Sequence, residues 1–158
     1  MPIVTFSDGV TFHLNGETIK VLHAPNAHTS GDSIVHFVEA DVIHMGDTFF
    51  NGFYPFIDFQ HGGTIEGMVK VADRVIAMAT SGTKIIPGHG PLSNKAELKV
   101  YRDMLETVGK RMADAVAAGK SLADLQQNSP LADLDATWGK GFLKPPKFLE
   151  LVYTGIKQ

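Results

Sequence analysis

Ile85-Ile86-Pro87-Gly88-His89-Gly90-Pro91 is the stretch on which the reading of this chain turns. A short apolar run, Lys84-Ile85-Ile86, has the character of a strand. It stops at Pro87 and enters a Gly-His-Gly-Pro turn. Gly and Pro on both sides of a His let the backbone bend tightly and leave the imidazole projecting into open space. Two earlier segments share this grammar: Ala27-His28-Thr29-Ser30-Gly31-Asp32-Ser33 and His44-Met45-Gly46-Asp47-Thr48. In each, turn-forming or small residues flank an ionisable one at the end of a strand-like run, which is where rigid scaffolds usually carry reactive groups.

Imidazole and carboxylate together suit zinc, manganese or iron, and two such metals can share a bridging carboxylate or hydroxide. An ordinary reading stands beside this one. A lone His is commonly a surface or core residue, and Asp after Gly is a common turn residue. His13, His23, His36, His44 and His61 have no such flanks and read as ordinary residues. Thr29 and Asp32 read either as turn residues or as partners that orient the His28 ring.

Outward from these segments, the first third is β-rich. Val10 to Leu14 runs into Asn15-Gly16, a hairpin signal, and Thr18 to Leu22 returns. Ser33 to Val38 and Val42 to Met45 read as two more strands of an antiparallel meander. Phe49, Phe50, Phe53, Tyr54, Phe56 and Phe59 read as an aromatic loop, either the wall of a substrate pocket or else core or a protein interface. Thr64 is placed to cap a helix carrying Ile65, Met68, Ala72, Val75, Ile76 and Ala79 at helical spacing, stopped by Ser81-Gly82. The longest element spans about Asn94 to Ala118, with Leu98, Tyr101, Leu105, Val108, Met112 and Val116 on one face. Ser121 starts a shorter helix, and a last helical turn or two falls around Phe148 to Tyr153. These elements predict an α/β (α+β) fold: one mainly antiparallel sheet covered by helices on one face.

The 158 residues suffice for one domain, read as residues 1–158. Hydrophobic residues at 44% and charged residues at 20% are the balance of a globular protein. A net charge of -3 with scattered Lys and Arg argues against nucleic acid as a partner. There are no cysteines, so any metal must be held by His and carboxylate. No apolar stretch approaches a membrane span, and the start has no signal-peptide pattern, so the cytoplasm is the default compartment.

In order, His-Thr-x-Gly-Asp-Ser, Met-Gly-Asp followed by aromatics, and Pro-Gly-His-Gly-Pro resemble the C-terminal half of the metallo-β-lactamase superfamily, from about Val4 to Tyr153. The resemblance implies half of an αββα sandwich. It implies His28, Asp47 and His89 as metal ligands: His28 completing the first site, Asp47 bridging both metals, His89 in the second. Asp47 is thereby also the candidate catalytic residue. Zinc is the implied cofactor, with iron or manganese as alternatives, and a small molecule with a hydrolysable bond the implied substrate. The family's His-x-His-x-Asp-His motif is missing, and no His-x-His pair occurs anywhere. The metal set is therefore incomplete within this chain. The expectation is a metallohydrolase fragment that becomes hydrolytic when oligomerisation or a partner chain completes the site. The alternative is a remnant or binding module that keeps the fold without the reaction. A lone half would leave an apolar sheet face open, so self-association, as a homodimer or higher, is expected.

Overall fold

The computed structural model describes residues 2–157. Five strands, β1 (Gly9–Leu14), β2 (Glu17–Ala24), β3 (Asp32–Phe37), β4 (Val42–Phe50) and β5 (Lys84–His89), form one sheet in chain order. The first four are an antiparallel meander, as the sequence predicts, and β5 adds parallel to β4. Asn15 and Gly16 both take positive φ, 55° and 79°, which the tight β1–β2 turn requires. The parallel pair needs a crossover, and α1 (Ile65–Met78) supplies it.

Four further helices follow: α2 (Lys95–Ala117), α3 (Leu122–Gln127), α4 (Ala132–Trp138) and α5 (Pro145–Ile156). The predicted Thr64 cap holds, and Asn94 and Ser121 cap the helices that they begin. Thr64 Oγ1 accepts from the Gly67 amide, Asn94 Oδ1 from Ala96 and Glu97, and Ser121 forms a reciprocal capping box with Asp124.

Three boundaries differ from the sequence reading. Strand β4 does not stop at Met45 but runs on through Asp47 to Phe50, because register irregularities near Gly46 let it stay paired with β5. Helix α1 ends at Met78, before Ser81-Gly82. Thr83 Oγ1 accepts from the Thr80 amide at 2.7 Å and donates to Asp41 at 2.6 Å, tying the helix exit to the β3–β4 turn. The tail holds two helices, not one. Helix α4 has no side-chain cap to announce it, and α5 starts at Pro145, whose fixed φ suits a first helical turn.

The sheet faces differ sharply. Strand register puts Leu22 beside Ile34, and His36 beside Ile43 and Ile85, on the face that α1 and α2 cover. Ile34, Ile43 and Ile85 are fully buried there with Met68, Val75, Leu105 and Val108 in one contiguous core. The opposite face carries Val10–Val21–Val35 and Phe12–Ile19–Phe37 as ladders across three strands. Among the described residues no helix covers this second face. Phe12 is 44% and Leu14 60% exposed. No helix among the described residues is long and apolar enough to cross a membrane.

Candidate metal centre

Asp47 and His89 are 42 residues apart in sequence, on β4 and β5, and the parallel pairing of these strands brings them together. Gly46 pairs with Pro87 and Phe50 with His89, and Asp47 lies in the irregular stretch between. His89 Nε2 stands 3.3 Å from Asp47 Oδ1, both side chains about half exposed. The backbone beneath them is tightly constrained. A Cβ on Gly88 would stand 2.5 Å from the Gly46 carbonyl carbon and 2.6 Å from its oxygen, and closer still to Asp47 Oδ1. Glycine at this position is what allows the two strands to approach here. Thr48, fully buried, donates from Oγ1 to Met45 O at 2.8 Å and braces the bulged segment.

The His89 turn is held from β4 as well. The Asn51 amide donates to His89 O at 2.9 Å, and Asn51 Nδ2 donates to Pro91 O at 3.1 Å and to Glu97 at 3.3 Å. Sequence reasoning missed Asn51, since nothing local marks it. Asn51→Ala removes one hydrogen bond to a backbone carbonyl and a longer one to a carboxylate, and is expected to lower stability by about 1 kcal/mol. A urea melt checks this. An unchanged midpoint would mean that the turn holds its shape without Asn51.

His28 sits in the loop between β2 and β3, with its ring Nδ1 3.5 Å from Asp32 Oδ1. Asp32 acts as a turn residue, because its other oxygen accepts from the Thr29 amide at 2.6 Å. Thr29 is a turn residue: its Oγ1 accepts from the Gly31 amide. Three contacts from outside hold the loop. His23 Nε2 lies 2.9 Å from Ser30 O, the Asp58 amide donates to His28 O, and the Ser30 amide donates to His61 O. His23 and the Asp58–His61 pair, read from sequence as ordinary residues or not singled out, thus position the His28 loop. The hydrogen bond with His61 holds the Asp58 carboxyl below the usual carboxylate range, and the nearby His28 adds to this.

Aromatic rings surround these groups. His89 stacks on Phe50 at 4.8 Å, with Phe142 at 6.1 Å, and Phe56 meets His28 edge-on at 5.9 Å. The aromatic run divides between the two readings given to it. Phe49, Phe50 and Tyr54 are buried in the core, whereas Phe56 is exposed beside His28.

The Asp47–His89 pair fits a metal in donor chemistry and in spacing. Two ligands of a tetrahedral zinc with bonds near 2.0–2.1 Å stand about 3.4 Å apart. Among the described residues neither side chain has another hydrogen-bond partner. No three His, Asp or Glu side chains among the described residues come close enough to hold one ion. His28 is therefore separate from the pair.

No protein-family model matches the sequence, and no curated protein matches it. Solved structures do. A metallo-beta-lactamase from Pontibacter korlensis is 17% identical, with a TM-score of 0.54 over 66% of this chain and 49% of its own. The DIM-1 metallo-beta-lactamase is 20% identical, with a TM-score of 0.54 over 65% of this chain and 47% of its own. The stereoselective inverting sec-alkylsulfatase Pisa1 from Pseudomonas sp. is 16% identical, with a TM-score of 0.72 over 96% of this chain and 26% of its own. The chain spans about half the length of those lactamases and about a quarter of that sulfatase. The fold of this chain is that of a metallo-β-lactamase-type protein.

Proposed function

We propose that this chain is the metal-binding, C-terminal half of a metallo-β-lactamase-like hydrolase, with zinc held by Asp47 and His89 and a neighbouring metal position facing His28. The observation that carries this reading is the 3.3 Å approach of Asp47 Oδ1 to His89 Nε2, at strand ends where Gly88 and Asn51 constrain the backbone. When bound, such a metal polarises the scissile group and lowers the pKa of a bound water towards neutrality. The chain's own residues supply orientation. The Phe50 ring fixes the plane of the His89 imidazole, and the β4 bulge aims the Asp47 carboxylate at it. Zinc must displace any proton on the imidazole, so its affinity is expected to fall as the solution is acidified.

Metal content after purification tests the reading, with His89→Ala as control. The expected result is near-stoichiometric zinc, iron or manganese in the parent and a clear drop in the variant. No metal and no thermal shift on adding it would sink the proposal. If metal binds, thioester, lactone, β-lactam and phosphodiester substrates follow. Bound metal with every substrate intact would leave a fold that binds metal without the reaction.

Two donors leave coordination positions open, and the uncovered sheet face offers a way to fill them. We infer that a second copy packs on that face. The Val10–Val21–Val35 and Phe12–Ile19–Phe37 ladders carry no charge, and such a patch seldom stays exposed on a monomer. Light scattering at micromolar concentration is expected to give a dimer or larger, and Val21→Lys, in the middle of the face, a monomer. A parent protein that is strictly monomeric would overturn this.

A further inference from the structure

Phe142 projects from the α4–α5 connection and is 62% exposed, more than any other Phe among the described residues. It is not on a loose loop. The Tyr54 amide donates to Trp138 O at 2.9 Å just before it, and α5 begins at Pro145 just after. Between them Gly141 lies flat on Phe53, where a Cβ would come within 2.7 Å of the Phe53 Cβ and 2.8 Å of its ring. The loop is therefore seated on one aromatic side chain and presents another. The Phe142 ring stands 6.2 Å from Phe53, 6.1 Å from Phe50 and 6.1 Å from the His89 ring. One side of the Asp47–His89 pair is thus an apolar shelf of Phe142 and Phe53, backed by the buried Phe50.

Isolated exposed apolar residues are ordinary on protein surfaces. This one differs in its placement. A fixed loop holds the ring against the imidazole, so apolar and polar surfaces meet at the pair. Binding sites of this kind combine apolar walls with a few convergent polar groups. We propose that Phe142, with Phe53, is a specificity subsite that receives an aryl or alkyl group joined by a short link to the polar head held at Asp47 and His89. The ligand class is a small amphiphile, not a polar metabolite or a sugar. The shelf acts on recognition and touches no bond that changes. This rests on the reading of Asp47–His89 as the polar end of the site.

The test uses 4-phenylbutyrate and butyrate, which share a carboxylate and differ in the ring. Each is titrated into the whole chain with and without one equivalent of zinc chloride, and the Phe142, Phe53 and His89 ring resonances are followed by NMR. Burial of a phenyl group against aromatic rings predicts about tenfold tighter binding for 4-phenylbutyrate, with shifts on all three rings. Phe142→Ala should reduce that advantage to about twofold, and Phe142→Trp should restore it. Phe142 is exposed, so circular dichroism should be unchanged in both variants. Equal binding of the two acids, or an advantage that survives Phe142→Ala, overturns the subsite. So does a Phe142→Ala variant that changes only the assembly mass, which would make the shelf a contact between copies. Zinc binding is measured in the same samples. A phenyl preference without bound zinc keeps the subsite and removes the metal reading, whereas bound zinc without a phenyl preference does the reverse.

Discussion

Gly67→Ala is expected to destabilise the chain by about 3 kcal/mol, near the upper end of what overpacking costs. Gly67 lies in the first turn of α1, where Ala would ordinarily gain about 1 kcal/mol in helix propensity. Packing reverses the sign. A Cβ there would penetrate the Asn26 carbonyl group and stand 3.0 Å from the Ala27 amide nitrogen. These are backbone atoms and cannot swing aside. The helix must back away, and the Thr64 contacts to this loop go with it. The Thr64 amide donates to Asn26 O at 3.0 Å and to Ala27 O at 2.9 Å, and Thr64 Oγ1 donates to Asn26 O at 2.9 Å. For a domain of this size the loss corresponds to a fall in Tm of about 6–12 °C. Because Asn26 and Ala27 lead directly into His28, amide exchange at Thr29 to Gly31 should quicken as well. Gly109→Ala in α2 is the control. Its new Cβ meets only the Ile65 side chain, at 3.1 Å, and stability should move by less than about 1 kcal/mol. Equal melts for the two variants would mean that α1 is not docked through Gly67.

Gly67 also shows which parts of the molecule were open to sequence reading. The Thr64 cap, the Asn15-Gly16 turn and the α2 stripe are local signals, fixed by residues within four positions of one another, and all three stand in the structure. The close approach of Gly67 to Asn26 is set by tertiary packing, and no pattern around Gly67 announces it. The same division runs through the candidate site. His28, Asp47 and His89 each carry a local signature, turn formers beside an ionisable group. Their relative placement depends on β5 pairing parallel to β4 after a long crossover, and spacing in the chain does not encode that distance. Strand β4 outruns its local sequence signal for the same reason, since its bulged half is strand-like only because β5 is beside it. Asn51, His23 and Phe142 were passed over because each acts through a partner far away in sequence. The fold comparison and the local motifs agree on architecture. The proposed metal site rests on two side chains whose meeting is a property of the sheet.

That meeting can be broken in two ways that separate geometry from ligand identity. Asp47→Asn keeps the volume of the side chain and removes its charge. The fold should be unaffected, with Tm within about 2 °C of the parent. Zinc affinity should fall by a factor on the order of 100 or more, since losing a ligand costs at least as much as losing one of the outer partners that orient it. Gly88→Ala leaves both ligands in place and is nevertheless expected to abolish the site. The added methyl would sit 2.5 Å from the Gly46 carbonyl carbon and against Asp47 Oδ1. Either β5 withdraws from β4, or the carboxylate turns away from His89. Withdrawal of the strand costs about 3 kcal/mol in stability, and rotation of the carboxylate mainly costs metal. Both routes widen the 3.3 Å approach beyond the edge of a metal's coordination shell. Zinc content and a urea melt on the same preparation distinguish them. Metal lost with the midpoint unchanged means that Asp47 moved, and metal lost with a large fall in midpoint means that the strands parted. Full zinc occupancy in Gly88→Ala would show that the metal does not sit between Asp47 and His89, whatever else the protein binds.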